Sequence, residues 1–190
     1  LWLKYILSSE QVSKKEMFSM IKNLMTEEGD FALLSEMISL PSEQIIHQNV
    51  DEIDVEDVHN KRNIALLEIG KKFKDVFLKT YEKLNFKKPF DLSSASVAER
   101  ALKNTCLAYL TKLGESDIAY QQFIHSDCMT DQFGAFQSLL GNENSYRDEV
   151  IDRFYNEHRS DVQVMDKWFS AQSISSLSSV DDVKSLMEHE

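Results

Sequence analysis

His125-Ser-Asp-Cys-Met-Thr-Asp-Gln-Phe-Gly-Ala-Phe136 packs a histidine, a cysteine and two aspartates into seven positions, followed by two phenylalanines. As a ligand set it would be half a metal site. As a helix start it makes Asp127 or Ser126 the cap, and Met129, Phe133, Phe136 and Leu140 form one apolar stripe at intervals of four, three and four. Zinc needs three or four ligands, usually from repeated pairs such as C-x-x-C or H-x-x-x-H. No second His/Cys pair completes the set, and His47, His59, His158 and His189 each stand alone along the chain. The stretch is therefore read as the opening of an amphipathic helix over residues 128–140 that ends at Gly141.

The same kind of opening recurs in both directions. Ser13-x-x-Glu16 and Ser96-x-x-Glu99 read as capping boxes, in which the serine accepts from a backbone N–H and the glutamate reaches back. Ser145-x-x-Asp148, Asp161 and Ser179-x-x-Asp182 open later helices, and Asp30 and Ser42 earlier ones. Behind Ser13, the residues Met17, Ile21, Leu24 and Met25 form an apolar stripe. Pro41 stops the helix carrying Leu33, Leu34, Met37 and Ile38, because the residue before proline is driven out of the α region. Asp54 and Asp57 complement the start of the longest helix, which runs to about Asn85. Its expected seam is Val58, Ala65, Ile69, Phe73, Val76, Tyr81 and Leu84.

The helix after Pro89 turns Ala98, Ala101, Leu102, Cys106, Tyr109, Leu110 and Leu113 inward and ends at Gly114, a residue suited to a left-handed C-terminal position. Later inward sets are Ile151, Phe154 and Tyr155, then Met165, Trp168 and Phe169, then Val183, Leu186 and Met187. Pair-opening signals near 96, 127 and 161 predict helix-turn-helix units that bury their faces against neighbours. The expected fold class is all-α, an α-solenoid of stacked antiparallel helix pairs (a HEAT/armadillo-like superhelix), with a compact helical bundle as the alternative. Two prolines and five glycines are too few for the tight turns of a sheet protein. The chain reads as a single helical domain, with N-terminal helices over 1–92 and helix-pair repeats over 93–190.

Bulk composition narrows the function classes. A content of 42% hydrophobic and 28% charged residues is globular. No run of some 20 apolar residues exists to span a bilayer. The net charge of −11 opposes binding to phosphate backbones, so nucleic acid is not an expected partner. Acidity grows along the chain, from 13 basic and 16 acidic side chains in residues 1–95 to 8 and 16 in residues 96–190. Cys106 and Cys128 match no disulfide or metal spacing, so both are expected to be buried free thiols in a reducing, cytoplasmic compartment. There is no H-E-x-x-H, G-x-S-x-G, P-loop or G-x-G-x-x-G motif, and no catalytic residue is assigned. The chain opens with Leu-Trp-Leu-Lys-Tyr-Ile-Leu and ends at Met187-Glu-His-Glu190; both ends read as cut, so a piece of a larger protein is expected.

Four stretches in register carry a family likeness: Glu99-Arg-Ala-Leu-Lys-Asn-Thr-Cys-Leu-Ala-Tyr-Leu110, Gln122-Phe123, Met129-Thr130-Asp131 and Asp166-Lys-Trp-Phe169. With Leu40-Pro-Ser-Glu43 upstream, they resemble the C-terminal helical domain of aminopeptidase N, the bacterial-type zinc-dependent alanyl aminopeptidases of the gluzincin class. Cys128 stands where that family often has asparagine, and Gly134 and Phe136 stand where it has small residues.

The resemblance implies a non-catalytic domain of an enzyme that removes N-terminal residues from peptides. The catalytic domain would lie on the same polypeptide and hold the zinc. This domain would pack on it, close an internal chamber and restrict peptide entry. By position Arg147 would face that chamber, with a solvated arginine as the alternative, while Asp166, Trp168 and Phe169 would pack between helices. The competing function is a free-standing helical-repeat scaffold that binds a protein partner.

Overall fold

The computed structural model describes residues 1–7, 11–26, 29–86 and 89–189 and, within them, every side chain but those of residues 11–13 and 26. Among the described residues every regular element is a helix. They group into two compact units, Leu1–Leu113 and Gly114–Glu190.

The first unit contains α1 (Trp2–Leu7), α2 (Gln11–Thr26), α3 (Phe31–Ile38), α4 (Glu43–His47), α5 (Val55–Leu84) and α6 (Ser94–Lys112). Local chemistry starts several of these helices. Asp30 accepts from the backbone N–H of Ala32 at 2.8 Å, Ser42 from Ile45 at 3.3 Å and Asp54 from Asp57 at 2.9 Å, so each occupies an amide that lacks an intrahelical partner. Helix α5 packs chiefly along α6, α3 lies on α6, and α1 and α4 lie on α5. A line of rings runs through this core from Trp2 and Tyr5 through Phe18, Phe73 and Phe77 to Tyr109, ending in a stacked Phe77–Tyr109 pair 4.6 Å apart. The buried Tyr109 hydroxyl donates to the Ile38 carbonyl at 2.6 Å, which ties α6 to the end of α3.

Several expectations for this unit are corrected. Ser93 rather than Ser96 caps α6, because Ser96 is buried and its hydroxyl donates to Asp91 Oδ2 at 2.6 Å. The Ser13–Glu16 box falls two residues inside α2, and the Ser13 side chain lies outside the described residues. On α5 Phe77 is fully buried, like the expected Ile69, while its neighbour Val76 is only half-buried. The α5 backbone departs from helical angles at Phe73 (φ −115°, ψ 16°), yet the seam keeps its period, since Phe73, Phe77, Tyr81 and Leu84 are all buried and the missed step is i+4 rather than i+3. Leu33 is 58% exposed, and the buried neighbours on α3 are Leu34, Ser35 and Ile38.

The second unit contains α7 (Ser116–His125), α8 (Met129–Leu140), α9 (Arg147–His158), α10 (Val162–Ser173) and α11 (Val180–Met187). Its core is a phenylalanine cluster: Phe136 and Phe154 stack 4.5 Å apart, flanked by Phe123 and Phe133. Gly114, between α6 and α7, has φ +95°, the left-handed conformation expected of it. Asp161 caps α10 and the Ser179–Asp182 box caps α11, as their spacing predicts. The expected cap of α8 is corrected. Neither Ser126 nor Asp127 fills that place; Cys128 does, with no side-chain cap bond. Likewise α9 starts at Arg147 without a side-chain cap, while Asn144 Oδ1 accepts from the Tyr146 amide at 2.9 Å just before it.

Candidate functional site

The stretch from His125 to Phe136 contains the start of α8. His125 Nδ1 lies 3.0 Å from the Gln121 carbonyl, one turn back on its own helix. Among the described residues no group of three His, Cys, Asp or Glu side chains is placed to hold a metal ion. Within the same stretch Met129 is half-buried and Thr130 exposed, whereas Asp131 is buried. The Gln122 amide donates to the Asp131 carbonyl at 2.9 Å and fastens α7 to the first turn of α8.

Cys106 is fully buried, and desolvation pushes its thiol up to about 12, so the nucleophilic thiolate is suppressed. Cys128 is only half-buried, which corrects the expectation that both thiols are enclosed. A thiol at the mouth of a helix start cannot be covered by the helix that follows it.

A concavity of the second unit lies beside Trp168. It is a cleft of about 290 Å³ whose lining includes Arg147, Ile151 and Asp152 of α9, Trp168 and Gln172 of α10 and Asp182 of α11. Trp168 is 3% exposed, and its indole N–H donates to the Ile151 carbonyl at 3.0 Å. Phe169 meets it edge-on at 4.9 Å, while Asp166 is exposed on the same helix.

Arg147 is three-quarters enclosed, with 25% of its side chain exposed. Its contacts are long: 3.5 Å from Nη2 to the Ser178 hydroxyl and 3.9 Å from Nη1 to Asp148. Its Nε is buried with no hydrogen-bond partner among the described residues. The cleft also holds the carboxylates of Asp152 and Asp182, and the attraction of Arg147 helps to hold the Asp182 carboxyl below its usual range, after the hydrogen bonds from Ser179. In the sequence Arg147 is singled out only by the family likeness, which implies that it faces a chamber rather than a cleft within its own unit. Asp152, Gln172, Ser178 and His189, which share the cleft, carry no local signal, since they come from separate segments.

Comparison with known proteins places the fold. The sequence model of a family described as a domain of unknown function, DUF3458_C, with ARM repeats, matches residues 2–190. The chain belongs to this family. ARM repeats are stacked helices, in agreement with the all-α, solenoid-type expectation. The chain is 28% identical over 171 residues to aminopeptidase N of Escherichia coli, covering 87% of this chain and 19% of that protein. It is 27% identical over 148 residues to aminopeptidase N of Haemophilus influenzae, covering 77% of this chain and 17% of that protein. It thus spans about a fifth of the length of the curated relatives it matches. A crystal structure of Legionella pneumophila aminopeptidase A in complex with aspartic acid superposes with a TM-score of 0.78 over 90% of this chain and 22% of that chain, at 23% identity. That likeness speaks to the fold. The matches fit a C-terminal helical domain of aminopeptidase N.

Proposed function

We propose that this chain is the non-catalytic helical domain of a zinc aminopeptidase that removes N-terminal residues from peptides. In this reading it packs on the catalytic domain of the same polypeptide, closes an internal chamber and restricts which substrates enter. The zinc belongs to the catalytic domain, where it polarises the scissile carbonyl and activates water. Arg147 faces the chamber and meets the far end of a bound peptide, and the enzyme works in the cytoplasm.

The observation that carries the reading is the match to aminopeptidase N over 87% of the chain, together with a family match over residues 2–190. The cleft at Arg147 adds a site of suitable chemistry. No helix among the described residues is long and apolar enough to cross a membrane.

The reading is tested by the coding frame upstream of Leu1. An open frame carrying H-E-x-x-H, a later glutamate and G-x-M-E-N supports it; a start codon just before Leu1 leaves a free-standing helical binder instead. In the parent enzyme, Arg147→Ala is expected to raise KM for peptides while leaving turnover of a small aminoacyl anilide unchanged. Equal effects on both substrates would remove Arg147 from the chamber.

A further inference from the structure

We infer that the turn joining α5 to α6 is the knob by which this domain docks on the rest of its polypeptide, in an apolar pocket with an acidic rim. The inference rests on the aminopeptidase reading for its partner and on the turn itself for its place. Phe86 and Phe90 are 55% and 54% exposed, whereas every other described Phe, Tyr and Trp side chain is buried or half-buried. Leu92 in the same turn is 77% exposed, and Val97, one turn into α6, is 49% exposed. Single exposed apolar residues need no explanation, but a group of them marks an interaction site. Aromatic anchors carry a large share of the energy at such sites.

The turn is braced so that it holds these side chains out. Asp91 Oδ1 accepts from the Ser93 amide and Oδ2 from the Ser96 hydroxyl, each at 2.6 Å. Ser93 Oγ accepts from the Ser96 amide at 3.3 Å and starts α6. From within α6 the buried Arg100 donates to the Asp91 carbonyl at 3.1 Å and lies against the Phe90 ring, 5.0 Å from its centroid. Lys103, also buried, reaches Asn85 Oδ1 at 3.5 Å and ties the end of α5 to α6. A loop fixed in this way has little freedom left to lose on docking, and preorganisation raises affinity by cutting that cost.

Length and charge point to the occupant. The chain spans about a fifth of its aminopeptidase N relatives. The greater part of such a polypeptide lies outside this domain and meets it at the high effective concentration of a tethered partner. On the last turns of α5, leading into Phe86, Lys79 and Lys83 are exposed and have no ion-pair partner among the described residues. On a chain of net charge −11 this local basic pair matches an acidic rim on the partner.

The test is Leu92→Cys in the whole polypeptide of the parent frame, labelled with a maleimide under native and denaturing conditions and read at residue 92 by mass spectrometry. Docking is expected to slow native labelling by about thirtyfold or more relative to the denatured rate, the protection given by an anchor contact. In the 190-residue chain, where Leu92 is 77% exposed, the two rates should be close. Adding Phe90→Ala to the whole polypeptide is expected to speed native labelling by about tenfold through loss of the anchor. The Phe90 ring makes none of the hydrogen bonds that brace the turn, so the fold is kept.

Native labelling of the whole polypeptide as fast as the denatured rate would overturn the knob and leave the aminopeptidase reading in place. Slow labelling that Phe90→Ala leaves unchanged would also overturn it, because Leu92 would then be covered without the anchor. A start codon just before Leu1 would remove the reading and the partner together, whatever the labelling rate.

Discussion

The indole N–H of Trp168 donates to the Ile151 carbonyl at 3.0 Å, so one side chain both fills the space between α10 and α9 and fixes their register. Trp168 is 3% exposed and touches Tyr155, Phe169 and His189. Trp168→Ala removes a large buried aromatic and is expected to destabilise the second unit by about 3–5 kcal/mol. Urea unfolding followed by circular dichroism measures this. A midpoint within error of the wild-type value would show that the neighbouring rings refill the space.

Gly114 separates a backbone effect from a packing effect. A Cβ added there meets nothing within 4 Å, yet its φ is +95°. Gly114→Ala therefore adds no clash and only forces an L-residue into the left-handed region, at a cost of about 1–2 kcal/mol. A lowered thermal midpoint is expected. An unchanged one would mean that the turn relaxes without strain.

Glu68 joins three helices of the first unit, accepting from the Tyr5 hydroxyl of α1 at 3.0 Å and from the Lys14 ammonium of α2. Partial burial pushes its carboxyl up, but the hydrogen bonds from Lys14 and Tyr5 outweigh this and hold it below the usual glutamate range. A depressed folded-state value means that the contribution is present above the unfolded value, about 4.3, and is lost as pH falls through the lower folded value. Because both partners are more than a third exposed, the contribution is expected to be no more than about 1 kcal/mol. Wild-type stability should fall more steeply than that of Glu68→Gln as pH drops below about 4. Parallel pH profiles would refute the coupling.

The two thiols should differ sharply in reactivity. Cys106 is fully buried with its thiol pushed up to about 12, while Cys128 is half-buried at the start of α8. A disulfide reagent at neutral pH is expected to label Cys128 first in the folded chain and both after denaturation. Equal labelling rates under native conditions would show that α6 opens as readily as the mouth of α8.

Much of the helical pattern was legible because capping acts over three or four residues. Asp30, Ser42, Asp161 and Ser179 cap as their spacing predicts, and Asp54, expected as a partner of the helix dipole, is itself a cap, since each side-chain oxygen needs only a backbone N–H two or three residues ahead. Gly114 ends its stretch for an equally local reason. Where two local partners compete, sequence alone misleads. Ser96 looks like a cap, but the Asp91 carboxylate takes its hydroxyl and leaves the cap to Ser93.

The sequence by itself determined that this is a helical-repeat protein of an aminopeptidase-related family, since periodicity, caps and motif order all reside in consecutive residues. Only the tertiary structure decided which apolar residue each stripe buries. Phe77 rather than Val76 enters the core of α5, because the i+4 step from Phe73 and not the i+3 step faces the neighbouring helices, and among the described residues Met187, expected to face inward, is 82% exposed on α11. The surroundings of Arg147 were decided the same way. Its enclosed Nε, the cleft beside Trp168 and the imidazole of His189 come from three segments with no sequence signal in common, and packing alone brings them together.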